Sequence, residues 1–167
     1  MNGAILFSFI IILSGCADKD PKPAAGNTET TTTAQKETSD KEACSLLTQA
    51  DAKAILEIDV KPGMQTPSMC QYLSTSEELS KAGESVSLEV HKNAGSEFDT
   101  YLSNIESSMG VKTEPVTGVG KKAGWADGSL IVQQGDDLLI FIIGKKLEKE
   151  KHLAVAKSLA SSVLSRM

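Results

Sequence analysis

The hydrophobic and polar positions divide the chain into three parts. Ala4 to Leu13 reads AILFSFIIIL, an apolar run of ten. A mature membrane-spanning helix needs about 20 such residues, so this run predicts the core of a secretory signal. Ala17 to Ala43 reverses the pattern, with 27 residues that include no Leu, Ile, Val, Phe, Met, Tyr or Trp. Burial cannot offset the cost of ordering such a segment. It predicts a disordered, Thr-rich tether with a reach of roughly 30 Å. Residues 44–167, 124 in number, carry the remaining apolar positions. That length suffices for one core.

Within that part the periodicity switches between helix and strand. Thr48-Gln49-Ala50-Asp51 reads as a capping box with Asp in place of Glu, and Leu46 and Leu47 precede it as a staple for a helix ending near Leu56. Met69 to Leu73 predicts a strand. Val86, Leu88 and Val90 alternate with Ser87, Glu89 and His91, the pattern of a half-buried strand. Phe98, Leu102, Ile105 and Met109 share one helical face, with Ser96 as the cap and Gly110 as the stop. Pro115 to Val119 reads as a loop or an edge strand. Ala123–Ala126 and Leu130–Gln134 then flank the hairpin signal Asp127-Gly128. After a turn at Gly135-Asp136-Asp137 comes Leu138 to Ile143, apolar throughout and so predicted to be central and covered on both faces. The last helix is predicted from about Leu147 to Leu164, with Val155, Ala156, Leu159, Ala160 and Val163 as its buried stripe.

Short links between strands demand antiparallel pairing. The expected fold class is therefore α+β, a single antiparallel sheet of about five strands with three helices packed on it. Signal (1–15), tether (16–43) and globular domain (44–167) are the expected divisions.

Composition and motifs sharpen the first two parts. Leu13-Ser14-Gly15-Cys16 directly follows the apolar run. This resembles the bacterial lipobox, in which small residues open the backbone to the signal peptidase and the cysteine thiol carries a diacylglycerol. No Lys or Arg precedes the apolar run, where such signals have a basic segment. The resemblance implies a mature chain starting at Cys16 with two or three acyl chains of the palmitate type, enough for stable anchoring. It places the domain in the cell envelope on the extracytoplasmic side. The residue after the cysteine is Ala17 rather than Asp, which implies the outer membrane in a cell with two membranes. The net charge of −5 excludes a broad electrostatic grip on nucleic acid. Four Phe, two Tyr and one Trp are too few to suggest stacking platforms for bases or sugars.

With Cys16 assigned to lipid, Cys44 and Cys70 remain. An even pair in an exported chain reads as a disulfide; a catalytic thiol and a metal pair are the alternatives, and neither cysteine lies in a Cys-x-x-Cys spacing. Cys44-Ser45-Leu46-Leu47-Thr48, then Cys70-Gln71-Tyr72, and later Gly118-Val119-Gly120, Ala123 and Trp125 resemble a pattern found in small bacterial lipoproteins of unknown function. In that group a glycine follows the first helix; here the position is Glu57. The resemblance implies a disulfide-bonded α/β domain on a lipid anchor, with no activity attached to it.

Catalytic patterns are sparse. His91 falls on the polar side of its strand and His152 at the rim of the last helix's stripe, with no adjacent ligands of zinc spacing. No Gly-x-Ser-x-Gly elbow occurs. Gly118-Val119-Gly120-Lys121-Lys122-Ala123-Gly124 misses the dinucleotide-binding spacing and leads into a hairpin, so its glycines are assigned to turns. Asp136 and Asp137 suit a strand turn, and Lys145, Lys146, Lys149 and Lys151 alternate with Glu148 and Glu150 as a solvated helix face. Trp125, preceded by Lys121 and Lys122, has two readings: a core residue covering the sheet, or an anchor that fills a partner's pocket. Tyr72 likewise packs in the core or forms the lip of a groove.

The function expected from these residues is a membrane-anchored, non-enzymatic binding domain. Its partner, protein or small molecule, is unspecified, and no cofactor or metal is expected. Trp125, Tyr72, Lys121 and Lys122 are the candidate contacts. An enzyme with a dispersed active site and a carrier of a small apolar ligand are the alternatives.

Overall fold

A computed structural model describes residues 42–167. The signal, Cys16 and the tether to residue 41 lie outside the described residues. The chain order is α1 (Ala43–Leu46), α2 (Gln49–Leu56), β1 (Met64–Gln65), β2 (Met69–Leu73), β3 (Ser85–His91), a 3₁₀ turn (Gly95–Glu97), α3 (Phe98–Met109), β4 (Glu114–Val116), β5 (Lys122–Ala126), β6 (Ser129–Gln134), β7 (Asp137–Gly144) and α4 (Lys149–Leu164). The strands form one sheet in the order β1-β2-β3-β7-β6-β5-β4, and every pair is antiparallel.

The α+β class and the antiparallel pairing stand, but the expected strand and helix numbers are corrected. The described residues form seven strands and four α-helices, not about five and three. The added elements are too short to generate a period. β1 has two residues, both exposed. β4 has three, the middle one Pro115, and proline is tolerated in a sheet at an edge. α1 is a single turn of four residues, formed where Leu46 and Leu47 were expected only to staple the next helix.

Local chemistry explains the longer elements. The capping box of α2 forms as predicted, with Thr48 accepting from the Asp51 N–H and Asp51 accepting from the Thr48 N–H. In β3, Val86, Leu88 and Val90 are buried on one face. β7 lies at the centre of the sheet order. Leu139, Phe141 and Ile143 point to one face, and Leu138 and Ile140 to the other. Ser96 does not cap α3. The Gly95 N–H donates to the Asp136 carbonyl at 2.8 Å, so contact with the β6–β7 turn sets the entry of that helix. Met109 is 62% exposed and does not join the apolar face of α3.

The helices cover both faces. Residues of α1, α2 and α4 share a cluster with Cys70, Leu88, Phe141, Leu130 and Trp125 on one side. α3 covers the other with Phe98, Tyr101, Leu102 and Ile105, against Ile131, Leu138 and Ile140. Cys44 and Cys70 are joined by a disulfide, with their Cα atoms 4.9 Å apart. It ties α1 to β2. The edge strand β4 is guarded against further pairing: Pro115 has no N–H, and the Glu106 carboxylate accepts from the Thr113 N–H and hydroxyl at 2.8 and 2.6 Å. No helix among the described residues is long and apolar enough to cross a membrane.

Candidate functional site

The antiparallel register places Glu114 of β4 opposite Trp125 of β5. Two residues further out on each side stand Lys112 and Asp127, which continue the same alternation. The start of α4 brings Leu147, Lys149 and His152 to that end of the sheet. Together with Val111 and Gly128, these residues line an open cleft of about 470 Å³.

Trp125 forms the floor. It is only 4% exposed, and its ring meets His152 edge-on with centroids 5.1 Å apart. The core reading of Trp125 therefore holds, while its edge also reaches the cleft. Among the described residues its indole N–H finds no acceptor, yet it is not sealed in: Glu84 Oε2 is the one enclosed side-chain atom there that lacks a partner. His152 Nε2 lies 3.0 Å from the Ile143 carbonyl. A carbonyl only accepts, so Nε2 carries a proton in this contact. Gly128 takes φ +90°, a backbone conformation that favours glycine, and a Cβ there would be in ordinary contact with His152 Cε1 at 3.4 Å. On the rim, Lys149 donates to Glu114.

The residues singled out from sequence do not converge. Tyr72 lies on the same face, but β2 and β5 are four strand spacings apart, roughly 19 Å. It is a core residue, 6% exposed, with its hydroxyl donating to the Leu47 carbonyl at 3.3 Å. Burial, and next the Asp51 charge, push its phenol above the ordinary range. Lys122 points to the opposite face, 2.8 Å from Asp99 and 5.6 Å above the Phe98 ring. Lys121 is an exposed loop residue. The cleft instead gathers Lys112 and Glu114, which the sequence did not single out, with Asp127 of the hairpin turn, Lys149 of the solvated helix face and His152 at the rim of the last helix's stripe. The available signal was the Gly118-Val119-Gly120 turn, which lets β4 fold back on β5 and sets Glu114 beside Trp125.

A second charged cluster lies at the junction of α1, α2 and α4. Arg166 holds Asp51 with two bonds, Nη1 to Oδ2 at 2.7 Å and Nη2 to Oδ1 at 2.9 Å, and also donates to the Leu46 carbonyl. Thr48 donates to the same carboxylate through its N–H at 2.9 Å. Burial alone would raise the Asp51 carboxyl; the bonds from Arg166 and Thr48 outweigh it and hold the group at about 2. Every oxygen here is engaged, so the cluster serves as a latch between helices.

Among the described residues, no three His, Cys, Asp or Glu side chains are grouped to hold a metal. No protein-family model matches the chain, and no curated protein or solved structure is detectably similar to it.

Proposed function

We propose that the chain is an exported lipoprotein, anchored through Cys16 to the outer face of a membrane, whose folded domain is a non-enzymatic binding module. The observation that carries the binding half is the Trp125 cleft. It combines a rigid aromatic floor, apolar walls and a few polar groups of both signs, the mixture expected of a small-ligand site. The Cys44–Cys70 disulfide supports an oxidising, extracytoplasmic setting. The lipobox-like Leu13-Ser14-Gly15-Cys16 and the Thr-rich segment behind it support a tethered domain. The outer membrane is the proposed location in a cell that has two.

Two measurements test the proposal. Cys16→Ser is expected to move the protein from the membrane to the soluble fraction; retention in the membrane overturns the anchor. For binding, the full-length protein in mild detergent is incubated with the small-molecule fraction of a cell-envelope extract, and retained compounds are identified by mass spectrometry. A compound held by the native chain and lost from a Lys112→Gln/Asp127→Asn double variant supports the cleft. Identical retention by both overturns it.

A further inference from the structure

The cleft's charges specify more than its shape does. Lys112 and Lys149 balance Glu114 and Asp127, so the lining is neutral overall. Lys149 and Glu114 already satisfy one another. Lys112 and Asp127 form no contact ion pair among the described residues, although the Glu106 carboxylate lies within electrostatic reach of Lys112. One cation and one carboxylate are thus left at the same end of the sheet, beside the unpartnered indole N–H of the buried Trp125. No side chain caps the N-terminus of α4, whose first turn contributes Lys149 and His152.

Deepening the binding reading on which it rests, we infer that the cleft takes a small zwitterion with an apolar side chain, an amino acid or short peptide with both ends free. The carboxylate suits Lys112, the indole N–H and the open first turn of α4, all of which donate. The ammonium suits Asp127, which only accepts. Val111 and Leu147 supply apolar wall for the side chain. A doubly charged phosphate fits poorly, because Glu114 and Asp127 line the same space. A purely apolar ligand makes no use of the exposed Lys112 and Asp127 or of the indole N–H.

Trp125 is the only tryptophan in the chain, so its emission reports directly on the site. The full-length protein in mild detergent is titrated with leucyl-leucine, its N-acetyl derivative, its C-terminal amide and inorganic phosphate, followed by Trp125 emission and by calorimetry. The free dipeptide is expected to saturate the signal, with each blocked derivative about ten- to a hundredfold weaker, the effect of losing one charge-assisted hydrogen bond. Both Lys112 and Asp127 are exposed, so their variants keep the fold, which circular dichroism checks. Asp127→Asn is expected to weaken the dipeptide and the amide but spare the acetylated form; Lys112→Gln is expected to weaken the dipeptide and the acetylated form but spare the amide. A blocked derivative or phosphate that matches the free dipeptide overturns the inference, as does absence of saturation. If the dipeptide fails while the envelope extract still yields a cleft-dependent compound, only the ligand class is wrong. Failure of both overturns the binding module as well.

Discussion

Asp51 carries two duties that differ in how readily they are read. As the third residue of α2 it closes a capping box, and the Thr-x-x-Asp spacing announces that. Its second partner, Arg166, stands 115 residues away, and nothing local connects the two. The carboxyl sits at about 2 against an ordinary 3.8. A carboxyl depressed in the folded state stabilises the fold above its unfolded value, and that contribution is lost as the pH falls from about 4 to about 2. With partial solvent screening it is worth about 1–2 kcal/mol. Acid unfolding followed by circular dichroism is therefore expected to steepen in that window for the native chain and to flatten for Asp51→Asn. Parallel curves would remove Asp51 from the account. At neutral pH the same variant is expected to lose about 2 kcal/mol, since Arg166 gives up its charge-assisted pairing with that carboxylate. Glu57 poses the opposite case. It closes α2 in the left-handed conformation, φ 59°, which favours glycine. Glu57→Gly gives up the exposed pair with Lys145, but Lys145 keeps its bonds to the Ile55 and Leu56 carbonyls. The thermal midpoint is expected to rise by a few degrees; a fall would show that the ion pair outweighs the backbone.

At the scale of elements, legibility follows length. β3 announces itself because seven residues allow alternation to repeat. β7 does so because it is apolar on both faces, and α4 because its stripe covers several turns. β1, β4 and α1 complete two or three backbone pairings or one turn each, and no period exists to be read. Their formation depends on neighbours instead. β4 leads into β5 through a turn that the Gly118-Val119-Gly120 segment signals, and these glycines differ in role from Gly124. Gly120 has φ +58°, and a Cβ there would stand 2.4 Å from Val132 Cγ1 and 2.7 Å from the Gln133 carbonyl oxygen. Gly124 has an ordinary backbone, and its Cβ would meet only the end of the Leu102 side chain, at 2.8 Å. A carbonyl in a paired strand cannot yield, whereas a leucine tip on the half-exposed α3 can rotate. Gly120→Ala is therefore expected to cost about 2–3 kcal/mol, and Gly124→Ala about 1 kcal/mol or less with a slight lift of α3. Urea unfolding of the two variants checks the order, and a costlier Gly124→Ala would show that α3 is seated more rigidly than its exposure suggests.

At the scale of the molecule, the sheet separates what stabilises the domain from what is proposed to bind. The disulfide, the Asp51–Arg166 latch and Tyr72 gather where α1 and α2 meet β2. The cleft lies toward the other edge, at β4, β5 and the start of α4. Its lining comes from three segments, 111–114, 125–128 and 147–152. That explains why the sequence offered Trp125 alone: a lone indole stands out, whereas lysines and carboxylates scattered over some forty residues gain meaning only through strand register. The cysteine pair was legible because export and an even number suffice to suggest it, with no geometry required. It spans 26 positions, and in the chain-entropy view closing such a loop is worth roughly 3–4 kcal/mol. The first helix is also held by bonds from Tyr72 and Arg166 to the carbonyls of Leu47 and Leu46, so loss of the bridge should weaken the domain without dismantling it. The Cys44→Ser/Cys70→Ser protein is expected to unfold in urea at a markedly lower midpoint, by about 3 kcal/mol, with Trp125 emission before the transition unchanged. Because the tryptophan sits roughly 19 Å across the sheet from β2, a shifted native emission would show that the two ends are coupled and that the bridge shapes the cleft as well as the fold.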